Sequence, residues 1–134
     1  MAEICPGGEF QFIAHLPQWG LEWPISSGEW DGGLPSVAED GVSTVWGAVF
    51  DLPNGEFAEL DALEKSEGRT AETVEAMDRN GRRHQVTVHI YAGSPNGSLP
   101  PSTDYVSLML DGSRHWSLPA GWIAGLEEHL PSQL

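Results

Sequence analysis

The residue with the best case for chemistry is Glu67, near the end of the run Leu60-Asp61-Ala62-Leu63-Glu64-Lys65-Ser66-Glu67-Gly68. Phe57, Leu60 and Leu63 mark an apolar stripe at three-residue spacing, and Glu67, four residues past Leu63, falls where the stripe would continue. Gly68 is the residue type that most readily ends a helix in the left-handed conformation. Burial and the negative end of the helix dipole would both favour the protonated form of a carboxyl in that place, moving it towards what a general base near neutral pH needs. A neighbouring cation, Lys65 or Arg69, would act the other way. The same spacing also fits a solvated last-turn glutamate, and periodicity leaves both readings open.

Other chemistries find less support. His15, His84, His89, His115 and His129 show no metal-ligand spacing, and Cys5 is the single cysteine, so neither a zinc cluster nor an internal disulfide is expected. Ser66 and Ser113 lack a nucleophile elbow, and no phosphate-cradling glycine loop precedes a helix. The expectation is no metal and no cofactor. A net charge of −14, from 20 acids against six Lys and Arg, argues against a nucleic-acid or anionic-membrane surface. Arg79, Arg82 and Arg83 do cluster, but around a turn. No apolar run is long enough to span a bilayer and no signal-peptide pattern opens the chain, so a cytoplasmic location is the default.

The elements that must position Glu67 read as a single domain over residues 1–134. Sixteen Gly and ten Pro imply many turns and short strands, while 40% hydrophobic residues with six Trp imply a packed core. Glu9–Leu16 and Gly20–Ile25 read as two strands, the second at an edge or bulge because of Pro24. Residues 26–41 read as a loop with a short strand near 34–38. Within it, Gly32 and Gly33 would let the main chain pass close to a ligand or to another backbone. Thr44–Leu52 is apolar on both faces, the pattern of an interior strand. A hairpin follows, Glu72–Asp78 with Arg82–Ala92 around an Asn80-Gly81 two-residue turn. On its second strand Val86, Val88 and Ile90 share one face, and Thr87, His89 and Tyr91 the other. Tyr91 would therefore enter a pocket or complete a core. Ser102 reads as the N-cap of a helix to about Ser113, with Tyr105, Leu108, Met109 and Gly112 along one side. Pro119 opens a last helix with Trp122, Ile123 and Leu126 inward. The fold class is α+β, a small, half-closed mixed β-barrel flanked by two or three helices.

Six blocks occur in order: Cys5–Leu16, Trp30–Gly33, Val45–Phe50, Leu60–Gly68, Pro101–Tyr105 and Leu110–Pro119. Together they resemble the gamma-glutamylcyclotransferase-like family over essentially the whole chain. The resemblance implies a mixed barrel with helices against it and the release of 5-oxoproline from a small-molecule gamma-glutamyl amino acid or amine. It implies that Glu67, directly before Gly68, serves as the acid/base, that Tyr91 lies near the pocket, and that Gly32 and Gly33 belong to the same neighbourhood. The family opens with a strand carrying Tyr-Gly-Ser-Asn, whose loop cradles the substrate carboxylate, and here Met1 falls after that point. Either the chain lacks that strand or its start was assigned late; in the first case the expectation is an open sheet edge that is covered by the terminus or paired with another chain, as in a homodimer. A non-catalytic relative that binds a small molecule or a protein is the alternative.

Overall fold

The computed structural model describes residues 7–93 and 99–130. Cys5 lies outside them. Four antiparallel strands form one sheet in the order β2-β1-β3-β4, with three helices against it. The α+β half-barrel read from the sequence is the architecture found.

β1 (Glu9–Ser27) and β2 (Gly32–Asp51) make one long hairpin. The two strands expected before residue 26 are a single strand, because Pro17 and Pro24 sit at irregularities that bend β1 without ending it. Its register shifts between Pro17 and Trp19 and again between Glu22 and Ile25. The expected loop over 26–41 shrinks to a turn at residues 28–31, and Gly32 and Gly33 begin β2. Thr44–Leu52 is also placed differently from its pattern. This part of β2 pairs with β1 alone at the edge of the sheet, and none of its residues is buried.

β3 (Arg69–Asp78) and β4 (Arg83–Tyr91) form the second hairpin, joined to β1 through Ala14 and His15. Its turn is longer than the two-residue form. Asp78 organises it: the Asp78 carboxylate accepts from the N–H groups of Asn80 at 2.8 Å and Arg82 at 3.0 Å, and pairs with His84 at 2.9 Å. Gly81 takes φ +81° at the tip.

α1 (Asn54–Ser66) presents Phe57, Leu60, Asp61 and Glu64 inward, while Leu63 is 43% exposed. At about 100° per residue, Leu63 lies about 240° round from Phe57 and points away, whereas Glu64 and then Glu67 return to the inner face. α2 (Thr103–His115) starts at Ser102, whose hydroxyl accepts from the Tyr105 N–H at 3.2 Å as an N-cap should. Its buried line is Val106, Leu110 and Ser113, not the Leu108 side, and Leu108 is 57% exposed. α3 (Ala120–Glu127), after Pro119, buries Leu126. Trp23 of β1 with Val106, Leu110 and Leu126 forms one core; Ala14, Leu16 and Ala76 form a second inside the curled sheet. Among the described residues no helix is long and apolar enough to cross a membrane.

The Asp78 carboxyl is held below the ordinary carboxylate range, first by His84 and then by the Arg82 N–H. Folded chains therefore bind fewer protons at this group than unfolded ones, so its stabilising effect is complete above about pH 4 and is lost as the pH falls through its lowered value. We expect Asp78→Asn to flatten the acid limb of a plot of urea midpoint against pH, with the wild type losing more stability between pH 6 and pH 3 than the variant.

Candidate functional site

Glu67 caps the C-terminal end of α1, with φ −95° and ψ 2°, its N–H bonded to the Glu64 carbonyl. Gly68 then adopts φ +88° and turns the chain into β3, so helix and strand meet with no intervening loop. The first residue of that strand is Arg69, buried at 4% exposure. Its guanidinium Nη1 donates to Glu67 and, at 2.9 Å, to Glu64; Nε and Nη2 donate to the Pro35 carbonyl of β2 at 3.1 and 2.6 Å. The Glu67 side chain is 26% exposed, neither sealed nor free in solvent. Of the two cations the sequence offered, Arg69 is the one that pairs with Glu67. Lys65 reaches Asp61 at 3.0 Å.

Tyr91, at the end of β4, lies against this turn. A Cβ placed on Gly68 would sit 2.9 Å from the Tyr91 ring edge. The Tyr91 N–H donates to the Ser36 hydroxyl at 2.8 Å, fixing the end of β4 to β2. Gly32 and Gly33 approach another backbone: Gly33 donates to the Pro100 carbonyl at 2.7 Å and accepts from the Ser102 N–H at 2.9 Å. A Cβ on Gly32 would fall 2.7 Å from the Ser102 Cα. The glycine pair thus anchors the start of α2. Five consecutive residues, Gly32 to Ser36, contact the segment at Ser102, Arg69 and Tyr91 in turn, and so bring three distant parts of the chain together.

Tyr105, which the sequence reading placed on one side of the helix without a role in the site, is brought close to it. It sits on the first turn of α2, edge-on to Trp30 with ring centroids 5.0 Å apart. Burial keeps its phenol protonated above the ordinary tyrosine range; Arg69 opposes that shift, and the carboxylates of Glu64 and Glu67 add to it. Its place three residues after the Ser102 cap was the available signal, because that cap fixes which way the first turn faces. Glu64 was legible too, as the residue one turn before Glu67.

The arrangement is two neighbouring carboxyl groups, Glu64 and Glu67, a buried guanidinium that donates to both, and a phenol that burial keeps protonated. It can take up a proton at Glu67 and offer a hydrogen bond from Tyr105. A sizeable hollow among the described residues lies elsewhere. It measures about 500 Å³ and is lined by β1, β2, β4 and the Phe57 and Leu60 side of α1, without Glu67.

The sequence model of the AIG2-like family matches residues 44–126, which includes α1, Glu67, both strands of the second hairpin and α2. The chain belongs to that family. Among its relatives, gamma-glutamylcyclotransferase of Bos taurus is 24% identical over 118 residues, 85% of this chain and 63% of the relative. The chain thus spans less than two thirds of the length of that curated protein. A crystal structure of an uncharacterized Homo sapiens protein superposes with a TM-score of 0.88 at 22% identity, covering 99% of this chain and 81% of the other. A structure of gamma-glutamyl cyclotransferase gives 0.87 at 21% identity with the same coverage. This AIG2-like chain therefore shares the gamma-glutamylcyclotransferase-like fold over its whole described length.

Removing one partner of a buried ion pair costs roughly 3–5 kcal/mol. Both carboxylates here keep some solvent contact, so Arg69→Met is expected to lose about 3 kcal/mol, read as a lower urea midpoint at unchanged slope. In an alkaline titration followed by the tyrosinate ultraviolet band, the component ionising above about pH 10 should disappear in Tyr105→Phe.

Proposed function

We propose that this chain releases 5-oxoproline from a gamma-glutamyl amino acid or amine, with Glu67 as the acid/base. The observation that carries the reading is the Glu67 carboxylate held half-exposed at the end of α1 by Arg69, beside the neutral Tyr105. The α-ammonium of such a substrate is protonated near neutral pH and cannot attack. Glu67 accepts that proton, and the freed amine closes on the γ-carbonyl of the same molecule. The C–N bond to the leaving amine then breaks as Glu67 returns the proton to its nitrogen. Ring closure within one molecule needs the substrate held folded, and that supplies much of the acceleration. Arg69 donates to Glu67 and aims it, so it acts as a positioning residue. Gly32 and Gly33 contribute by fixing the start of α2, and Tyr91 by closing the site against Gly68.

The binding-module reading has one observation of its own: the 500 Å³ hollow does not include Glu67. A panel of gamma-glutamyl compounds assayed for 5-oxoproline separates the two. Under the catalytic reading Glu67→Gln abolishes release while circular dichroism and urea midpoint stay near those of the wild type. Release that survives the substitution removes Glu67 from the mechanism, and no release from any compound by the wild type favours the binding module.

A further inference from the structure

We infer that the Glu67 site selects gamma-glutamyl amines whose leaving group carries a second, cationic nitrogen. It turns away gamma-glutamyl amino acids, whose leaving group carries a carboxylate. The inference rests on the reading of Glu67 as the acid/base. Every such substrate brings the same gamma-glutamyl half, so selection falls on the departing amine and on the groups that meet it. Glu64 and Glu67 share one guanidinium there; their side chains are 22% and 26% exposed, against 5% for Arg69. What an incoming chain can touch is carboxyl oxygen, with the cation beneath it.

No cation stands ready to receive an anionic tail. The Nη1 group of Arg69 is taken by the two carboxyl groups, while Nε and Nη2 turn to the Pro35 carbonyl. The chain holds six Lys and Arg, all among the described residues, and the rest are paired or far away. Lys65 reaches back along α1 to Asp61 at 3.0 Å. Arg79, Arg82 and Arg83 belong to the turn end of the β3–β4 hairpin, and Arg69 pairs with Tyr91 at its other end. Arg114 meets Glu127 at 3.6 Å, on the last turn of α2, whereas Tyr105 is on the first. Glu67 is also the C-cap of α1, and the carbonyl end of a helix favours a cation over an anion.

The α2 side of the site is aromatic. Tyr105 lies close enough to feel the charges of Arg69, Glu64 and Glu67, and Trp30 packs against it with ring centroids 5.0 Å apart. Trp30 is half-buried and held at both ends of its backbone. Its N–H donates to the Ser27 hydroxyl at 3.2 Å, and its carbonyl accepts from the Ser102 hydroxyl at 2.7 Å. Indole and phenol rings attract an ammonium through their faces. The sequence neighbours of the two rings, Asp31 and Asp104, are exposed acids, and neither 27–36 nor 99–108 holds a Lys or Arg. A cationic tail thus meets opposite charge from α1 and π-faces from α2, where a carboxylate meets like charge.

The test uses the full chain and three compounds that differ at the tip of the leaving group. Gamma-glutamylputrescine ends in an ammonium, gamma-glutamylbutylamine in a methyl and gamma-glutamyl-gamma-aminobutyrate in a carboxylate. Release of 5-oxoproline should give kcat/KM in that order, with about tenfold between neighbours at low salt. The spread should shrink towards one in roughly 1 M NaCl, where the screening length is about 3 Å. In Glu64→Gln the ratio of the putrescine to the aminobutyrate compound should fall about tenfold, and Glu64→Asp should restore it. A ratio is blind to lost folded protein, so this arm reads charge and not stability. A flat or reversed order overturns the inference, and so does a ratio that Glu64→Gln leaves in place; both outcomes leave Glu67 standing as the acid/base. No release from any of the three removes the catalytic reading and the inference with it.

Discussion

A guanidinium taken out of water must have its N–H groups answered on the spot, and the Arg69 side chain is 5% exposed. Its partners come from two other parts of the chain: Glu64 and Glu67 at the end of α1, and the Pro35 carbonyl at the start of β2. Leaving such a charge unanswered costs several kcal/mol, a large fraction of what holds a domain this size together. The end of α1 therefore cannot drift from β2 without exposing that penalty. Glu67 and Arg69 are only two residues apart, which requires the abrupt reversal that Gly68 makes at φ +88°. The left-handed glycine and the buried cation are one device, and the carboxylate is aimed by it.

What the sequence made visible divides along physical lines. The end of α1 at Glu67-Gly68, the Ser102 cap and the existence of the hairpin read over 72–92 depend on local geometry, and each was legible. Position on the inner face of α1 was legible for Glu67 and mistaken for Leu63, because a three-residue repeat drifts by about 60° per step on a real helix. Arg69 could be named as a candidate partner, but nothing in its neighbours announces burial. Arginines are mostly exposed, and the carbonyl that completes its shell belongs to Pro35, 34 residues away. The glycine pair permits a close approach of some backbone and cannot say which. Its partner, the Pro100–Ser102 segment, lies almost seventy residues downstream, as the Gly33 and Ser102 bonds show.

The two cores differ in completeness. Trp23, Val106, Leu110 and Leu126 are all nearly inaccessible, and this tight cluster carries α2 and with it Tyr105. The second core has only Ala14, Leu16 and Ala76 fully buried; the Val45, Val49, Val86 and Val88 packed round it remain partly open. Precise placement of a few polar groups needs close packing beneath them. The proposed chemical site rests on the first kind of core.

Two unpaired strand edges beside exposed valines are a liability, because each edge is a template for pairing with any other chain. Proteins blunt such edges with charge, proline or distortion, and this one uses distortion and charge. The Asp40–Ser43 segment of β2 interrupts its pairing with β1. The charge is the broader defence. With 20 acids against six Lys and Arg, every copy repels every other at the distances where edges begin to meet, within roughly one Debye length. The large acidic excess, which at first only excluded nucleic acid, thus acquires a structural reason. It sets copies of this chain against one another by like charge wherever their strand edges approach.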